Sequence, residues 1–149
     1  MVDESGDQTV EALGGPVERI LGRYGNDHAG PRMIVLGGIH GNEPAGLEAS
    51  SRVLTRLERD RPGANGSVIF LAGNLSAIER SSRFVDLDLN RQWTDERILA
   101  ALADGPDAPV EYGEQRELLE VLRGLIESSP GLLYFLDLHT SSAAGAPFL

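Results

Sequence analysis

Three short runs of consecutive apolar residues stand out along the chain, and they do not alternate with polar positions. They are RMIVLGG at 32–38, SVIFLAG at 67–73 and LLYFLDLH at 132–139. Strands covered on both faces have this pattern, whereas half-exposed strands alternate. We therefore predict three buried strands of a parallel or mixed sheet. A fourth segment, VERILGRYG at 17–25, predicts a short edge strand.

Between these runs the apolar residues recur with the period of a helix. Pro44 suits the first position of a helix that ends at the turn-forming stretch RDRPGANG, 59–66. The predicted apolar face of this helix consists of Leu47, Val53, Leu54 and Leu57. A second helix is predicted at 114–127, with an apolar stripe of Leu118, Leu122, Leu125 and Ile126. DERILAALAD at 95–104 predicts a shorter helix with Thr94 as its cap. Strands that alternate with helices predict an α/β fold.

Composition and charge narrow the classes of function. A chain of 149 residues suits one domain with a modest core. The absence of cysteine excludes disulfides and thiolate metal sites. A net charge of −10 argues against a surface that binds nucleic acid. All thirteen basic residues are arginines, so a Walker A phosphate loop and a Schiff-base lysine are excluded as well.

The two ends of the chain give further expectations. The acidic segment 1–15 lacks the basic start and apolar centre of a secretory signal, and we interpret it as a mobile lead-in. The apolar runs are too short to span a bilayer, so we expect a cytoplasmic protein without a membrane partner. The chain stops at SSAAGAPFL, directly after the third apolar run. We expect it to be the N-terminal part of a longer protein, with an exposed apolar edge that favours a homo-oligomer or a disordered C-terminus.

The stretch GGIHGNEPAG at 37–46 follows the first buried run and carries the first candidate chemistry. Ligands bind at the carboxyl ends of strands in α/β proteins. The glycines allow a sharp turn, so His40 and Glu43 can converge on one point, as a metal site or an acid–base pair requires. The alternative is a tight turn with a surface histidine and a glutamate near a helix N-terminus.

His139 stands at the end of the third buried run, which places it at the same edge of the sheet as His40. Two histidines and a glutamate with one open position form a catalytic zinc arrangement. Asp137 is a candidate to orient a histidine, because ligating histidines usually donate their other N–H to an oxygen. Taken alone, His139 also fits a hydrogen-bonded core histidine.

The third segment, SRFVDLDLNRQW at 82–93, combines acidic and basic residues. The alternate positions Asp86, Asp88 and Asn90 resemble the start of a calcium loop. Arg91 stands where such a loop needs glycine and Arg97 where it needs glutamate, so calcium is disfavoured. The alternatives are a cationic pocket of Arg83, Asn90 and Arg91 that binds carboxylates, or a solvated loop with local ion pairs.

In this order, GGIHGNEPAG, RFVDLDLNR and DLHTSS resemble the succinylglutamate desuccinylase/aspartoacylase family, relatives of the zinc carboxypeptidases. The motifs span residues 37–142 and are specific only in combination. The resemblance implies that one zinc ion is bound by His40, Glu43 and His139. It implies that the carboxylates of an N-acyl amino acid are held by Arg83, Asn90 and Arg91. It also implies a zinc-carboxypeptidase-like fold, a mixed and mostly parallel sheet flanked by helices, with residues 16–149 as the N-terminal part of the catalytic domain.

The family's general-base glutamate lies on a later strand, and no residue of this chain matches it. We therefore expect the complete enzyme to hydrolyse an amide with help from zinc, and this chain alone to be inactive. Arg83 is expected to stabilise the negative charge that develops on the carbonyl oxygen. The remaining alternatives are a zinc carboxypeptidase that acts on peptides, and a non-catalytic fragment that binds a metal or a carboxylate.

Overall fold

A four-stranded sheet organises the residues that the structure, a computed structural model, describes: 16–103 and 105–140. Its strands are β1 (Ile20–Gly25), β2 (Arg32–Gly37), β3 (Ser67–Ala72) and β4 (Leu133–Leu138), in the order β1-β3-β2-β4. Strands β3, β2 and β4 run parallel, while β1 is antiparallel to β3 at the edge. The predicted mixed, mostly parallel sheet and the predicted edge strand are confirmed.

Four α-helices and one short 3₁₀ helix connect the strands within the described residues. They are α1 (Ala45–Asp60), α2 (Leu75–Glu79), the 3₁₀ helix Leu89–Arg91, α3 (Asp95–Leu102) and α4 (Val110–Glu127). Thr94 caps α3, as predicted. Pro44 precedes α1 as its N-cap residue, α4 begins four residues before the predicted position, and α2 was not predicted. None of the described helices is long and apolar enough to cross a membrane.

Two apolar cores lie on opposite faces of the sheet, because successive strand residues point to opposite sides. One core joins Leu118 and Leu125 of α4 to alternate residues of the central strands: Ile34, Leu36, Ile69 and Leu71. The other joins Leu47 of α1 to Ala72 and to Ile78 of α2. Helices therefore flank the sheet on both sides, as the pattern of buried strands predicts.

Some predicted core positions are wrong. Val53 of α1 and Ile126 of α4 are 47% and 53% exposed, because each lies beside the buried stripe of its helix. The third apolar run was predicted to be covered on both faces, yet Tyr134 and Phe135 of β4 are 52% and 56% exposed. Within the described residues β4 pairs with β2 alone, so its second edge has no neighbouring strand there.

The parallel pairing of β2 with β4 places the candidate residues at one edge of the sheet. Gly37, the last residue of β2, pairs with Leu138, the last residue of β4. His40 and His139 follow these two strand ends. The two histidines, which the sequence predicts to lie at the same edge of the sheet, therefore do so in the structure.

Candidate metal centre

The loop between β2 and α1 is shaped by glycine. Gly38 has a φ of +71°, a left-handed conformation that few other residues adopt without strain. A Cβ on Gly41 would lie 2.1 Å from the carbonyl carbon of Ala77, so the loop packs directly on the backbone of α2. This close approach buries His40 and Glu43, which are 2% and 8% exposed.

His40, Glu43 and His139 converge on one point. The Nδ1 atom of His40 lies 2.9 Å from Glu43 Oε1, and Nδ1 of His139 lies 3.2 Å from Glu43 Oε2. Ligand atoms from the three residues all lie within 4.8 Å of one another. The Thr140 N–H donates to Glu43 Oε2 at 2.8 Å, which orients the carboxylate between the two imidazoles.

The other ring nitrogen of each histidine faces a carboxylate. His40 Nε2 lies 3.0 Å from Asp88 Oδ1, and His139 Nε2 lies 2.9 Å from Asp137 Oδ2. Each imidazole thus has a carboxylate at both ring nitrogens. A metal ion at the shared point would take the Nδ1 lone pairs and leave the Nε2 protons to the aspartates. The contact of Asp137 matches its predicted orienting role. For Asp88 the sequence offered a disfavoured calcium loop or a local ion pair, and Asp88 does lie 3.6 Å from Arg83. Its contact with His40 was not predicted, because sequence alone does not show which carboxylate reaches a histidine.

The carboxylates around the histidines are held in their charged form. Burial raises the pKa of Glu43, but hydrogen bonds from Thr140 and the histidines, with the charge of His40, lower it below its ordinary value. Burial likewise raises the pKa of Asp88, but the hydrogen bond and charge of His40, and weaker effects of Asn90 and Arg83, lower it overall. Glu43 and Asp88 therefore carry negative charge at neutral pH, as the binding of a cation requires.

This donor set fits zinc. Two imidazole nitrogens and one carboxylate are the ligands of many catalytic zinc sites, which keep the fourth position open. Ligand atoms around a tetrahedral zinc ion are separated by about 3.3 Å, as bond lengths near 2.0–2.1 Å require. In the structure the separations of 2.9 and 3.2 Å involve the two different oxygens of Glu43. With one ligand atom from each residue, all separations are at most 4.8 Å, so the three residues are near enough to share one ion.

The three residues predicted to bind carboxylates differ in their position relative to the histidine–glutamate set. Arg83 is 47% exposed at its side chain and lies 3.5 Å from Glu43 Oε1 and 3.6 Å from Asp88 Oδ2. Asn90 and Arg91 belong to the 3₁₀ helix that follows Asp88, and the Asn90 N–H donates to Asp88. The structure thus brings Arg83 to the histidine–glutamate set, whereas the described contact of Asn90 is with Asp88 alone. Arg91 is exposed, without an ion-pair partner among the residues described.

The geometry also separates the residues of the calcium-like pattern. Asp86 Oδ2 accepts a hydrogen bond from the N–H of Val110, whereas Asp88 faces His40. The two carboxylates therefore have different partners. The backbone between them is held by Glu111 of α4, a residue that the sequence prediction missed because it started this helix at residue 114.

Comparison with known proteins adds a family to this geometry. The family described as succinylglutamate desuccinylase/aspartoacylase catalytic domain matches residues 29–146. The succinylglutamate desuccinylase of Pseudomonas fluorescens is 39% identical over 112 residues, which are 75% of this chain and 31% of the relative. The human N-acyl-aromatic-L-amino acid amidohydrolase (carboxylate-forming) is 34% identical over 75% of this chain and 34% of its own length. The chain thus spans about a third of these relatives.

Solved structures of a desuccinylase and of an aminoacylase also resemble this chain. The succinylglutamate desuccinylase from Chromobacterium violaceum superposes with a TM-score of 0.62 at 25% identity, over 76% of this chain and 35% of that one. Murine aminoacylase 3 superposes with a TM-score of 0.56 at 30% identity, over 72% of this chain and 34% of that one. The described fold is therefore that of desuccinylases and aminoacylases.

Proposed function

Because the chain belongs to the succinylglutamate desuccinylase/aspartoacylase family, we propose that it carries the zinc-binding part of an enzyme that hydrolyses N-acyl amino acids. The observation that carries this proposal is the set of ligand atoms from His40, Glu43 and His139, all within 4.8 Å. Residues 16–149 would be the N-terminal part of the catalytic domain. The names of the relatives describe removal of an acyl group from an amino acid, and we assign the same type of reaction to the complete protein.

In this proposal one zinc ion is held by His40 Nδ1, His139 Nδ1 and a Glu43 oxygen. When bound, zinc supplies a Lewis acid that polarises a carbonyl and lowers the pKa of water. Asp88 and Asp137 keep the protons of the two imidazoles on Nε2, so that Nδ1 remains available. The Thr140 N–H keeps Glu43 turned toward both rings.

Substrate contacts are assigned to the segment that follows α2. Arg83 lies beside Glu43 and Asp88, where its guanidinium can stabilise negative charge on the carbonyl oxygen of the scissile amide. Arg91 and Asn90 are proposed to bind a carboxylate of the substrate, for which the arginine fork is well suited. A small N-acyl amino acid with carboxylate groups is the substrate class that these side chains favour.

The general base is assigned to a part of a longer protein. Each carboxylate described next to the histidines already has a partner: Glu43 faces both rings, Asp88 faces His40 and Asp137 faces His139. We therefore expect little turnover from the 149-residue chain, because losing a positioned base lowers rates by about 10²–10⁴-fold.

Zinc uptake tests the ligand set. The parent chain is expected to bind about one zinc ion per molecule. His40→Ala and His139→Ala are expected to bind much less, since each loses a ligand. His28→Ala is the matched control, because His28 is exposed and lies outside the centre. Elemental analysis of metal-loaded, desalted protein measures the difference, and equal zinc content in all four proteins would contradict the proposal.

Turnover by a longer protein that contains this chain tests the reaction. N-succinylglutamate and an N-acetylated aromatic amino acid should release a free amino acid and a carboxylate. Release of the C-terminal residue from an unblocked peptide, without deacylation, would favour the carboxypeptidase alternative. Zinc binding without either activity would favour a non-catalytic binding module.

A further inference from the structure

Glu111 in α4 is fully buried and lies outside the set of His40, Glu43 and His139. Its Oε1 atom accepts hydrogen bonds from the Val85 N–H at 2.7 Å and from Asn74 Nδ2 at 3.0 Å. Its Oε2 atom accepts from the N–H groups of Asp86 and Leu87, both at 3.0 Å. A carboxylate offers about four acceptor positions, and this one uses all of them.

The loop that contains residues 85–87 also provides an acceptor for the backbone of α4. Asp86 Oδ2 accepts a hydrogen bond at 2.8 Å from the N–H of Val110, the first residue of α4. Pro109, which precedes the helix, provides no side-chain cap, so Asp86 satisfies an N–H group that the helix leaves open. The loop and the start of α4 are therefore joined in both directions: Glu111 of the helix accepts from the loop backbone, and Asp86 of the loop accepts from the helix backbone.

The segment held in this way connects two residues of the candidate centre. Arg83 stands two residues before Val85, and Asp88 directly follows Leu87. With the backbone fixed at residues 85–87, the backbone position of both neighbouring residues is restricted. They are the residues that approach Glu43 and His40.

We propose that Glu111 is a positioning residue for the metal centre: by holding the backbone of residues 85–87, it places Asp88 at His40 Nε2 and Arg83 beside Glu43. The effect on zinc binding rests on the proposed function, whereas the effect on the loop does not. Glu111 makes no described contact with His40, Glu43 or His139, so its effect on them is indirect. Its contact with Asn74, the N-cap residue of α2, is a second connection besides residues 85–87.

A charged carboxylate is required at this position, and a glutamine of the same size is not equivalent. Burial raises the pKa of Glu111, but hydrogen bonds from Val85, Leu87, Asn74 and Asp86 lower it below its ordinary value. In Glu111→Gln one oxygen becomes an NH₂ group that faces N–H donors, so at least one buried N–H loses its acceptor. Glu111→Asp keeps the charge but is one methylene shorter, so it should preserve part of the network.

Glu114 provides a matched control on the same helix. It is also buried, and it accepts hydrogen bonds from the N–H groups of Leu75 and Ser76 at the start of α2. Glu114 also forms a buried ion pair with Arg19, so Glu114→Gln destabilises the fold at least as strongly, without touching residues 85–87. Any effect specific to the loop should appear in the Glu111 variants only.

The first measurement uses the 149-residue chain without metal. In Glu111→Gln we expect amide hydrogen exchange at residues 85–87 to rise roughly 10-fold or more relative to β2 and β3. The ¹⁵N signal of His40 Nε2 should shift in the same variant, because Asp88 moves away from it. Glu111→Asp should lie between the parent and Glu111→Gln, and Glu114→Gln should leave both readouts at the parent's values.

The second measurement is zinc affinity by competition with a chelator. We expect roughly 10-fold weaker binding in Glu111→Gln and partial recovery in Glu111→Asp. The proposal is overturned if residues 85–87 or the His40 signal respond as they do in Glu114→Gln. It is also overturned if the loop loosens while zinc affinity stays unchanged. A parent chain that takes up no zinc would refute the proposed function, and the His40 signal would still decide whether Glu111 positions Asp88.

Discussion

Gly41→Ala is the substitution for which the structure gives the sharpest expectation. A Cβ at this position would lie 2.1 Å from the carbonyl carbon and oxygen of Ala77 and 2.4 Å from the nitrogen of Ile78. Ordinary contacts begin at 3.4 Å, so the loop or α2 must move by about 1 Å. The atoms that are met belong to helix backbone, which cannot rotate away as a flexible side chain does.

This displacement should lower both the free energy of unfolding and the zinc affinity, and the effect on zinc affinity should be the larger. Overpacking of this kind costs about 1–3 kcal/mol of the free energy of unfolding. The metal centre is more sensitive, because ligand distances must stay within about 0.2 Å of their ideal values. His40 and Glu43 flank Gly41 and move together, so two of the three proposed ligands are misplaced at once. We expect zinc affinity to fall about 100-fold or more, at or beyond the upper range for changes that only affect the support of a ligand.

Gly63→Ala is the matched control, because a Cβ there meets nothing within 4 Å. It should leave zinc affinity unchanged and alter the free energy of unfolding by no more than about 0.5 kcal/mol. Urea unfolding followed by circular dichroism gives the stability, and chelator competition gives the affinity. If Gly41→Ala binds zinc within threefold of the parent, the assignment of this loop to the metal centre is refuted.

Three further predictions concern single side chains. Arg91→Ala in a longer, active protein should raise KM more than it lowers kcat, and Arg91→Lys should recover only part of the loss; an unchanged KM in both would contradict the carboxylate contact. Asp137→Asn should weaken zinc binding about 10–100-fold, because an amide no longer favours the tautomer of His139 with its proton on Nε2; unaltered affinity would show that Asp137 does not orient the ring. Burial raises the pKa of Glu114, but the hydrogen bonds that it accepts lower it below its ordinary value of 4.5. Its carboxylate therefore stabilises the fold above that pH, and this stabilisation is lost as the pH falls through the lowered pKa. Urea unfolding at a series of acidic pH values should show a smaller loss of stability in Glu114→Gln than in the parent, and parallel curves would count against this contribution.

The fold class and the convergence of the candidate ligands were accessible from sequence, because both depend on local patterns. Continuous apolar runs predict buried strands, and the residues after parallel strand ends must meet at one edge. The pairing of Gly37 with Leu138 fulfils that expectation and brings His40 and His139 together. Arg83, the first residue of the motif RFVDLDLNR, also approaches this edge.

What the sequence could not show depends on contacts between distant segments. The cap of α4 comes from Asp86, 24 residues before Val110, so no local signal marks the true start of the helix. Glu111 consequently lay outside the predicted helix, and its burial could not be anticipated. The exposure of Val53 and Ile126 has a similar cause, since periodicity defines a helical face but not how much of that face its neighbours cover.

The uneven burial of the proposed ligands bears on how long a bound ion would stay. His40 and Glu43 lie in a buried loop, whereas His139 and Asp137 belong to the end of β4, whose side chains are largely exposed. Strands with few buried contacts open more often than central strands. Dissociation would then begin with the departure of His139, which requires both the breaking of its ligand bond and the opening of the end of β4. Any neighbour that pairs with β4 would lengthen the residence time of the ion without contacting a single ligand.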